Sequence, residues 1–463
     1  MTDNYLAFIN SVKNKNISVV GIGISNTPVI TMLAKSGATV TAYDKNPKDT
    51  LGDCVHELEA LGVKLVCGPD YLDSLSGDVI IKTPGMRFDN PALVKARQNG
   101  AAITSEMELF FEFCPCKIIA VTGSDGKTTT TSLIYEMLKN SGKTVHLGGN
   151  IGTPLLPRLD RINKDDYVVA ELSSFQLHTM TRSADIAVVT NLSPNHLDVH
   201  KDMAEYTEAK TNIFRYQDNT GTLIVNYKNE VTNSFKANGK LLKFAFDSKP
   251  DTDGAYYSDG VLYYLENGVS QKILDRKDIV IRGDHNVENY LAAILAVKGI
   301  CSCADIVKTA KTFSGVRHRI EFVNNVNGVL FYNDSIGSSP TRTIATLRSF
   351  DEKVILIAGG YDKHLPFDTL AKEMLTRVKA LFLTGATAPA IQSALQKTKG
   401  YNQNLLPITV IDDFDDTIRA AAKAAAPGDC VLLSPACASF DKFKNFEVRG
   451  DRFVTVVNSL KED

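Results

Sequence analysis

Short runs of Val and Ile recur along the whole chain, and few of them alternate with polar residues. ISVVGIGI (17–24), CKIIAVTG (116–123), YVVAELS (167–173), IAVVTNLS (186–193), KVILIAGG (353–360) and CVLLSP (430–435) are all of this kind. A strand with one wet face alternates apolar and polar side chains, whereas a strand buried on both faces reads as continuous hydrophobicity. Helical stretches separate the runs, so the chain should form parallel sheets covered by helices on both sides. The 463 residues are too many for one core at roughly 100–200 residues per domain. The expected class is α/β in three domains. These are an N-terminal Rossmann-like parallel sheet (1–110), a central α/β domain with a phosphate-binding loop (111–314), and a C-terminal Rossmann-like domain (315–463). Two stretches depart from the parallel pattern. Residues around 241–282, including GAYYSDGVLYYLENG, and RIEFVNNVNGVLFYNDS (319–335) read as hairpins.

Charge and cysteine content exclude several classes. Lys+Arg 51 against Asp+Glu 53 leaves a net charge of −2, so no basic excess marks a nucleic-acid binder. An anionic ligand must then be held by local groups rather than by a global field. No apolar run approaches the roughly 18–20 residues of a membrane span, and the polar opening MTDNYLAFINSVKNKN lacks a signal-peptide core. The eight cysteines include Cys114/Cys116 and Cys301/Cys303, but no zinc framework and no disulfide scaffold. Reduced thiols in a cytoplasmic protein are expected.

Chemistry concentrates where apolar runs end. Gly123, Ser124, Asp125, Gly126, Lys127, Thr128 and Thr129 follow the strand IIAV and precede the helical TSLIYEMLKN. Glycines let backbone N–H groups approach phosphates, a helix N-terminus favours an anion, and Lys127 can neutralise β/γ oxygens. Thr128 would turn its hydroxyl to a magnesium ion. The spacing is two residues tighter than the general G-x-x-x-x-G-K-[ST] form. Glu171 ends the strand YVVA, where a carboxylate can hold Mg²⁺ opposite such a loop. His196 follows another strand end, and Lys210 lies in the helical EYTEAKTNIF, where periodicity alone makes it a solvated lysine. In the first block Gly21-Ile22-Gly23 follows a strand and Asp44 ends the next, but Asn26 stands where a dinucleotide fingerprint has its third glycine. Asp334, the loop Gly359–Lys363 and the loop Ser434–Phe440 follow strands of the third block, and turn chemistry accounts for them as well as function does.

Together VTGSDGKTTT (121–130), ELSSFQL (171–177), NHLD (195–198) and SPACASFDKFKNFEVRGDRF (434–453) resemble the Mur ligase family of ATP-dependent amide-forming enzymes in peptidoglycan synthesis. The resemblance covers essentially the whole chain, and its closing stretch is most similar to the branch that adds D-glutamate. Relatives that add alanine, a diamino acid or a dipeptide, and folylpolyglutamate synthase, are poorer matches. A reading of another class is an ATP-binding regulatory NTPase without ligase activity.

The resemblance implies a role for each matching residue. Gly123 to Thr129 would bind ATP phosphates, with Asn286 and Asn289 on adenine and Arg319 and Asp334 approaching the nucleotide. Thr128 and Glu171 would hold one Mg²⁺; His196, Glu171 and a carbamylated Lys210 would hold a second. Lys127, Lys210 and His196 are the implied catalytic set. Ile24, Ser25, Asp44, Lys45 and Gly85 would carry the uridine substrate, with Asn150 near its muramoyl-alanine end. Ser338, Lys363, Ser439 and Phe446 would meet D-glutamate. The implied small-molecule partners are UDP-N-acetylmuramoyl-L-alanine, D-glutamate and ATP, and a monomer is expected. Two departures stand out: Ile336 replaces a lysine common in relatives, leaving Arg342 or Lys363 to supply that charge, and Asp125 replaces a common asparagine.

Overall fold

The computed structural model describes residues 3–23, 26–194, 199–363 and 365–460. Three sheets organise them. The first contains β1 (Asn16–Val20), β2 (Thr39–Asp44), β3 (Lys64–Cys67), β4 (Val79–Ile81) and β5 (Ala102–Thr104), all parallel in the order β3-β2-β1-β4-β5.

The second sheet contains β6 (Lys117–Thr122), β7 (Val145–Gly149), β8 (Tyr167–Glu171), β9 (Ile186–Val189), β10 (Thr222–Asn226), β11 (Lys240–Phe246), β12 (Gly254–Ser258), β13 (Val261–Glu266) and β14 (Val269–Asp275). Its order is β14-β13-β12-β11-β10-β9-β6-β8-β7. The third contains β15 (Glu321–Val326), β16 (Val329–Asn333), β17 (Val354–Ala358), β18 (Val378–Leu383), β19 (Ile408–Val410) and β20 (Cys430–Leu433), in the order β15-β16-β20-β17-β18-β19.

The antiparallel portions match the hairpin expectation with one correction. Strands β12, β13 and β14 form a meander, and Asp259 and Gly260 both take positive φ (49° and 79°), the geometry a tight two-residue turn requires. Strand β11, by contrast, pairs in parallel with both β10 and β12, so the hairpin region begins later than residue 241. Its segment LKFAF is buried almost throughout, the signature of a covered strand rather than a hairpin arm. The pair β15–β16 is antiparallel, as expected.

The chain packs as two compact units. One runs to Asp278 and includes Val287–Thr309; the other comprises Ile279–Asn286 and everything from Ala310. The first unit holds two sheets because one apolar cluster joins them: Ile17, Val19 and Ile30 of the N-terminal sheet share it with Leu155, Leu156 and Ala120 of the central one. In the second unit, Leu356, Leu381 and Leu432 build the core on one face of the sheet, and Phe331, Ile357 and Phe453 fill the other.

Each sheet reverses its direction of growth part-way across. The neighbours of β1 are β2 and β4, and those of β6 are β8 and β9. Between β16 and β17 lies β20, inserted from the end of the chain. Connections leaving to opposite sides open a crevice at the carboxyl ends of such strands, and ligands bind there in open α/β sheets. Among the described residues no helix is long and apolar enough to cross a membrane.

Because Leu356 has no exposure and lies in the third-sheet core, Leu356→Ala should cost the second unit ~2–5 kcal/mol. A urea titration read by circular dichroism should show the early transition that this loss demands.

Candidate functional site

The glycine loop after β6 is built by steric necessity. Gly123 leaves β6 at φ 148°, and a side chain there would collide with the Thr190 hydroxyl. Gly126 adopts φ 78° immediately before the helix Lys127–Asn140, and a Cβ would run into Asn289 Oδ1. Only glycine meets both demands. Tertiary hydrogen bonds then fix the loop. Asn191 Oδ1 accepts from Asp125 N at 2.9 Å, Thr190 Oγ1 donates to the Asp125 carbonyl at 2.5 Å, and Ser124 Oγ lies 3.0 Å from the Tyr206 hydroxyl. The helix that follows places its N-terminal N–H groups toward the loop, the arrangement suited to phosphate. Thr128 is half-buried and Thr129 buried in its first turn.

Two lysines converge on one oxygen. Lys127 Nζ donates to the Gly123 carbonyl at 3.0 Å and to the Ser124 carbonyl at 2.9 Å. Lys210 Nζ donates to the same Gly123 carbonyl at 2.9 Å and to Thr122 Oγ1 at 3.1 Å. The sequence pattern makes Lys210 a solvated side chain, but it is 2% exposed and sits over the Tyr206 ring. Burial first, and the neighbouring Lys127 charge second, push its amine well below the ordinary lysine value, against the opposing pull of Glu171 and Asp125.

Glu171 ends β8 at 1% exposure, and its Oε1 accepts from Asn150 Nδ2 at 2.8 Å. Its Oε2 is buried with no hydrogen-bond partner. A buried carboxylate oxygen without a donor is costly, and a hard cation satisfies it, so the donor set fits Mg²⁺. Thr128, Glu171, Asn150, Lys127 and Lys210 are thus gathered around the end of β6, with Asn289 packed against the loop through Thr130 (3.2 Å). His196 lies outside the described residues.

The N-terminal sheet presents Asp44, Lys45 and Gly85 at strand ends. Asp44 is 7% exposed, and its two oxygens accept from Ile22 N (2.7 Å) and Asn46 N (2.9 Å). Its first task is therefore to tie the β1 turn to the β2 turn. Asn26 explains the missing third glycine: its Nδ2 donates to the carbonyls of Val20 and Gly21, closing the turn by side chain. Lys45 and Gly85 are exposed, and Ile24 and Ser25 lie outside the described residues.

An unforeseen cluster lies nearby. Arg87 Nη1 donates at 2.8 Å both to Glu205 Oε1 and to the Val199 carbonyl, while the rest of its guanidinium pairs with Asp89. Ligand atoms of His178, His200 and Glu205 fall within 4.8 Å of one another. The guanidinium already supplies the cation that this carboxylate needs, and its hydrogen bond holds Glu205 below the usual carboxylate range. The cluster is an ion-paired tie between the Gly85 loop and the helix Met203–Thr211, which carries Lys210.

In the second unit the loops after β16, β17 and β20 lie side by side. Arg449, absent from the sequence-derived set, organises two of them. At 2% exposure it donates to Ser335 Oγ and O, to the Cys437 carbonyl and to the Ala438 carbonyl, at 2.9–3.1 Å. Burial lowers its guanidinium to about 10. Its place in a helix gave it no periodic signal. Ser439 is 2% exposed, Ser338 lies just before the helix Pro340–Leu347, and Phe446 opens the last helix, its carbonyl accepting from Ser335 Oγ. Lys363 and Arg319 are exposed. Asn286 Nδ2 donates to the Arg282 carbonyl at 2.6 Å. Arg342 Nη1 donates to the Ile336 carbonyl at 3.2 Å, which puts a cation beside the position where the lysine is missing. Asp334 is buried, and its Oδ2 accepts from Thr346 and Ser434 at 2.7 Å each.

Comparison with known proteins follows the same order along the chain. Residues 15–105 match the Mur ligase MurD-like N-terminal domain, 121–297 the Mur ligase middle domain, and 318–437 the Mur ligase glutamate ligase domain. A Clostridium novyi protein, UDP-N-acetylmuramoylalanine–D-glutamate ligase, is 50% identical over 99% of this chain and 100% of its own. Its namesake from Acetivibrio thermocellus is 50% identical over 98% of both chains. The solved UDP-N-acetylmuramate–alanine ligase of Thermotoga maritima, 19% identical, shares the fold over 97% of this chain and 100% of its own, at a TM-score of 0.57.

Desolvation raises Asp334 to about 6, against the pull of its Thr346 and Ser434 hydrogen bonds; an unfolded aspartate titrates near ~3.9. Between those values the folded chain holds the extra proton, so this group makes stability fall as pH rises from about 4 to about 6. Asp334→Asn should remove that downward slope, measurable as urea midpoints across the window.

Proposed function

The chain belongs to the Mur ligase family, and from that membership we infer that it joins D-glutamate to UDP-N-acetylmuramoyl-L-alanine with ATP, in the cytoplasmic stage of peptidoglycan precursor synthesis. The observation that carries the reading is the shared D-glutamate ligase name of relatives 50% identical along nearly the entire chain. The electropositive glycine loop beside a buried, half-satisfied carboxylate agrees with it.

The chemistry explains why such a loop is needed. A carboxylate resists attack by an amine because it is anionic and lacks a leaving group. Transfer of the γ-phosphoryl of ATP to the alanyl carboxylate gives an acyl phosphate and ADP. The free amine of D-glutamate then adds to the carbonyl carbon, and the tetrahedral intermediate collapses to amide with release of phosphate. Lys127 would neutralise phosphate oxygens during transfer, exchanging its two carbonyl acceptors for them. Thr128 and Glu171 would hold Mg²⁺, which supplies charge stabilisation at the phosphates.

Lys210 is the second proposed ligand residue, as its carbamate, with Glu171 and His196 completing the set. Carbamylation needs a neutral amine, and burial beside another ammonium favours one. The modification would turn a cation into an anion next to the Glu171 carboxylate. Asp44, Lys45 and Gly85 are proposed for the uridine substrate, with Asn150 at its alanyl end. Asn286, Asn289, Arg319 and Asp334 are proposed for the nucleotide, and Ser338, Lys363, Ser439 and Phe446 for D-glutamate. Arg342 is the residue proposed to replace the lysine absent at Ile336, since its guanidinium bonds that residue's own carbonyl.

The direct test is phosphate release with ATP and UDP-N-acetylmuramoyl-L-alanine, supplying D-glutamate, L-glutamate, L-lysine or diaminopimelate separately. D-glutamate alone should support turnover; release independent of any amino acid would favour a regulatory NTPase. Lys210→Ala should be inactive and partly restored by acetate, and full activity without acetate would remove the carbamate from the mechanism. Lys363→Ala should raise the KM for D-glutamate roughly ten- to a hundredfold, the scale of a lost charge-assisted hydrogen bond, while leaving the KM values for ATP and the uridine substrate nearly unchanged.

A further inference from the structure

The chain carries the spacing Cys-x-Cys twice, and the two copies fold differently. In Cys114-Pro115-Cys116 the proline disfavours a helical conformation for the residue before it and fixes its own φ. The helix Glu106–Phe113 accordingly stops, and Cys114 is extended at φ −64° and ψ 125°. Residues two apart in an extended segment project to the same side. The outcome is a thiol pair in contact, with Cys114 Sγ 3.7 Å from Cys116 Sγ.

Cys301-Ser302-Cys303 has no such constraint. Ser302 bonds Asp305 at the start of the helix Cys303–Thr312, and the Cys301 thiol donates away from its neighbour, to Ser141 Oγ at 3.5 Å. All eight cysteines are free thiols, so the contact at Cys114 and Cys116 is between two reduced groups.

The first pair is also reachable. Cys114, Pro115 and Cys116 line a cavity of about 570 Å³ in the first unit, and both cysteines are half-buried. None of Gly123–Thr129, Glu171 or Lys210 lines it. The hydrogen bond with Cys116 holds the Cys114 thiol below its ordinary value, and the same contact pushes Cys116 up. A thiolate is the attacking form of cysteine, so Cys114 is the first nucleophile of the pair.

We infer that Cys114 and Cys116 form a thiol–disulfide exchange site, which a small organic disulfide entering this cavity converts to an internal disulfide. The Cys114 thiolate attacks one sulfur of the incoming disulfide, forming a mixed disulfide, and the first small thiolate leaves and takes up the proton that Cys114 gave up. Cys116 then loses its proton to solvent and attacks Cys114 Sγ. The Sγ–Sγ bond forms as the separation closes from 3.7 Å to roughly 2.05 Å, and the second small thiolate leaves and is protonated. Two electrons pass from the cysteine pair to the small disulfide, which ends as two thiols. The loop closed is short, so the cross-link removes little chain freedom, and excess thiol reopens it.

The test is equilibration of the folded, full-length chain with mixtures of 2-hydroxyethyl disulfide and 2-mercaptoethanol, followed by acid quenching and peptide mapping by mass spectrometry. The peptide holding Cys114 and Cys116 should lose two hydrogens without gaining an adduct. It should do so at an oxidised-to-reduced ratio roughly tenfold or more below the one that Cys301 and Cys303 require, and regain both hydrogens in excess 2-mercaptoethanol. Cys116→Ser should stop at a mixed disulfide on Cys114. Persistent adducts on the unaltered pair, equal behaviour of the two Cys-x-Cys copies, or no oxidation at Cys114 and Cys116 would each overturn the inference. These readings on the unaltered chain stand whether or not the substituted one folds.

Discussion

Two ammonium groups donate to one carbonyl oxygen, that of Gly123, and the central site depends on this crowding. Like charges this close repel, and Lys210 is buried besides, so its ammonium form is held at a cost. The arrangement is stable only because neighbouring carbonyls and the Glu171 charge oppose the repulsion. It also gathers both lysine side chains at the start of the loop. The Glu171 carboxylate, one oxygen unsatisfied, lies on the other side of that crowding.

Main-chain geometry makes that crowding possible. The loop can bring the Gly123 carbonyl to both lysines only because Gly123 and Gly126 hold conformations a side chain would forbid, one against Thr190 and the other against Asn289. Those two partners come from the ends of β9 and from a helix more than 150 residues downstream. The sheet order supplies them: β6 lies between β8 and β9, so Glu171 and Thr190 flank the loop from either side. The second unit solves a similar problem differently. There the buried Arg449 guanidinium, rather than a glycine turn, holds two loops in register through four hydrogen bonds to Ser335, Cys437 and Ala438. A planar five-donor fork suits several carbonyls at fixed angles in a way a lysine cannot.

Arg87 shows how the first unit links its two sheets near the site. It leaves the Gly85 loop and bonds the Val199 carbonyl and Glu205, which lies on the same helix as Lys210. The Gly85 loop and the Lys210 helix are thus joined by a short, charged connection. The same ion pair explains why two histidines and a glutamate gather there without needing a metal, since the guanidinium is already the counter-charge.

Much of this was determined by the sequence alone. Unbroken Val/Ile runs specify parallel strands, because burial on both faces removes the alternation an exposed face imposes. The glycine spacing specifies a tight strand-to-helix loop ahead of Lys127, because only glycine tolerates the backbone at Gly123 and Gly126, and Asp259-Gly260 specifies a hairpin turn. Tertiary structure decided the rest. Lys210 looks solvated in its helix, and only packing against β6 buries it. Asp44 and Asp334 look like open strand-end acids, yet each has oxygens committed to hydrogen bonds from other elements. Arg449 carries no periodic or motif signal, because its role depends on three carbonyls separated from it by up to 114 residues. Local pattern encodes which element forms and where it ends. The environment of a charge is set by neighbours distant in sequence, which the pattern does not contain.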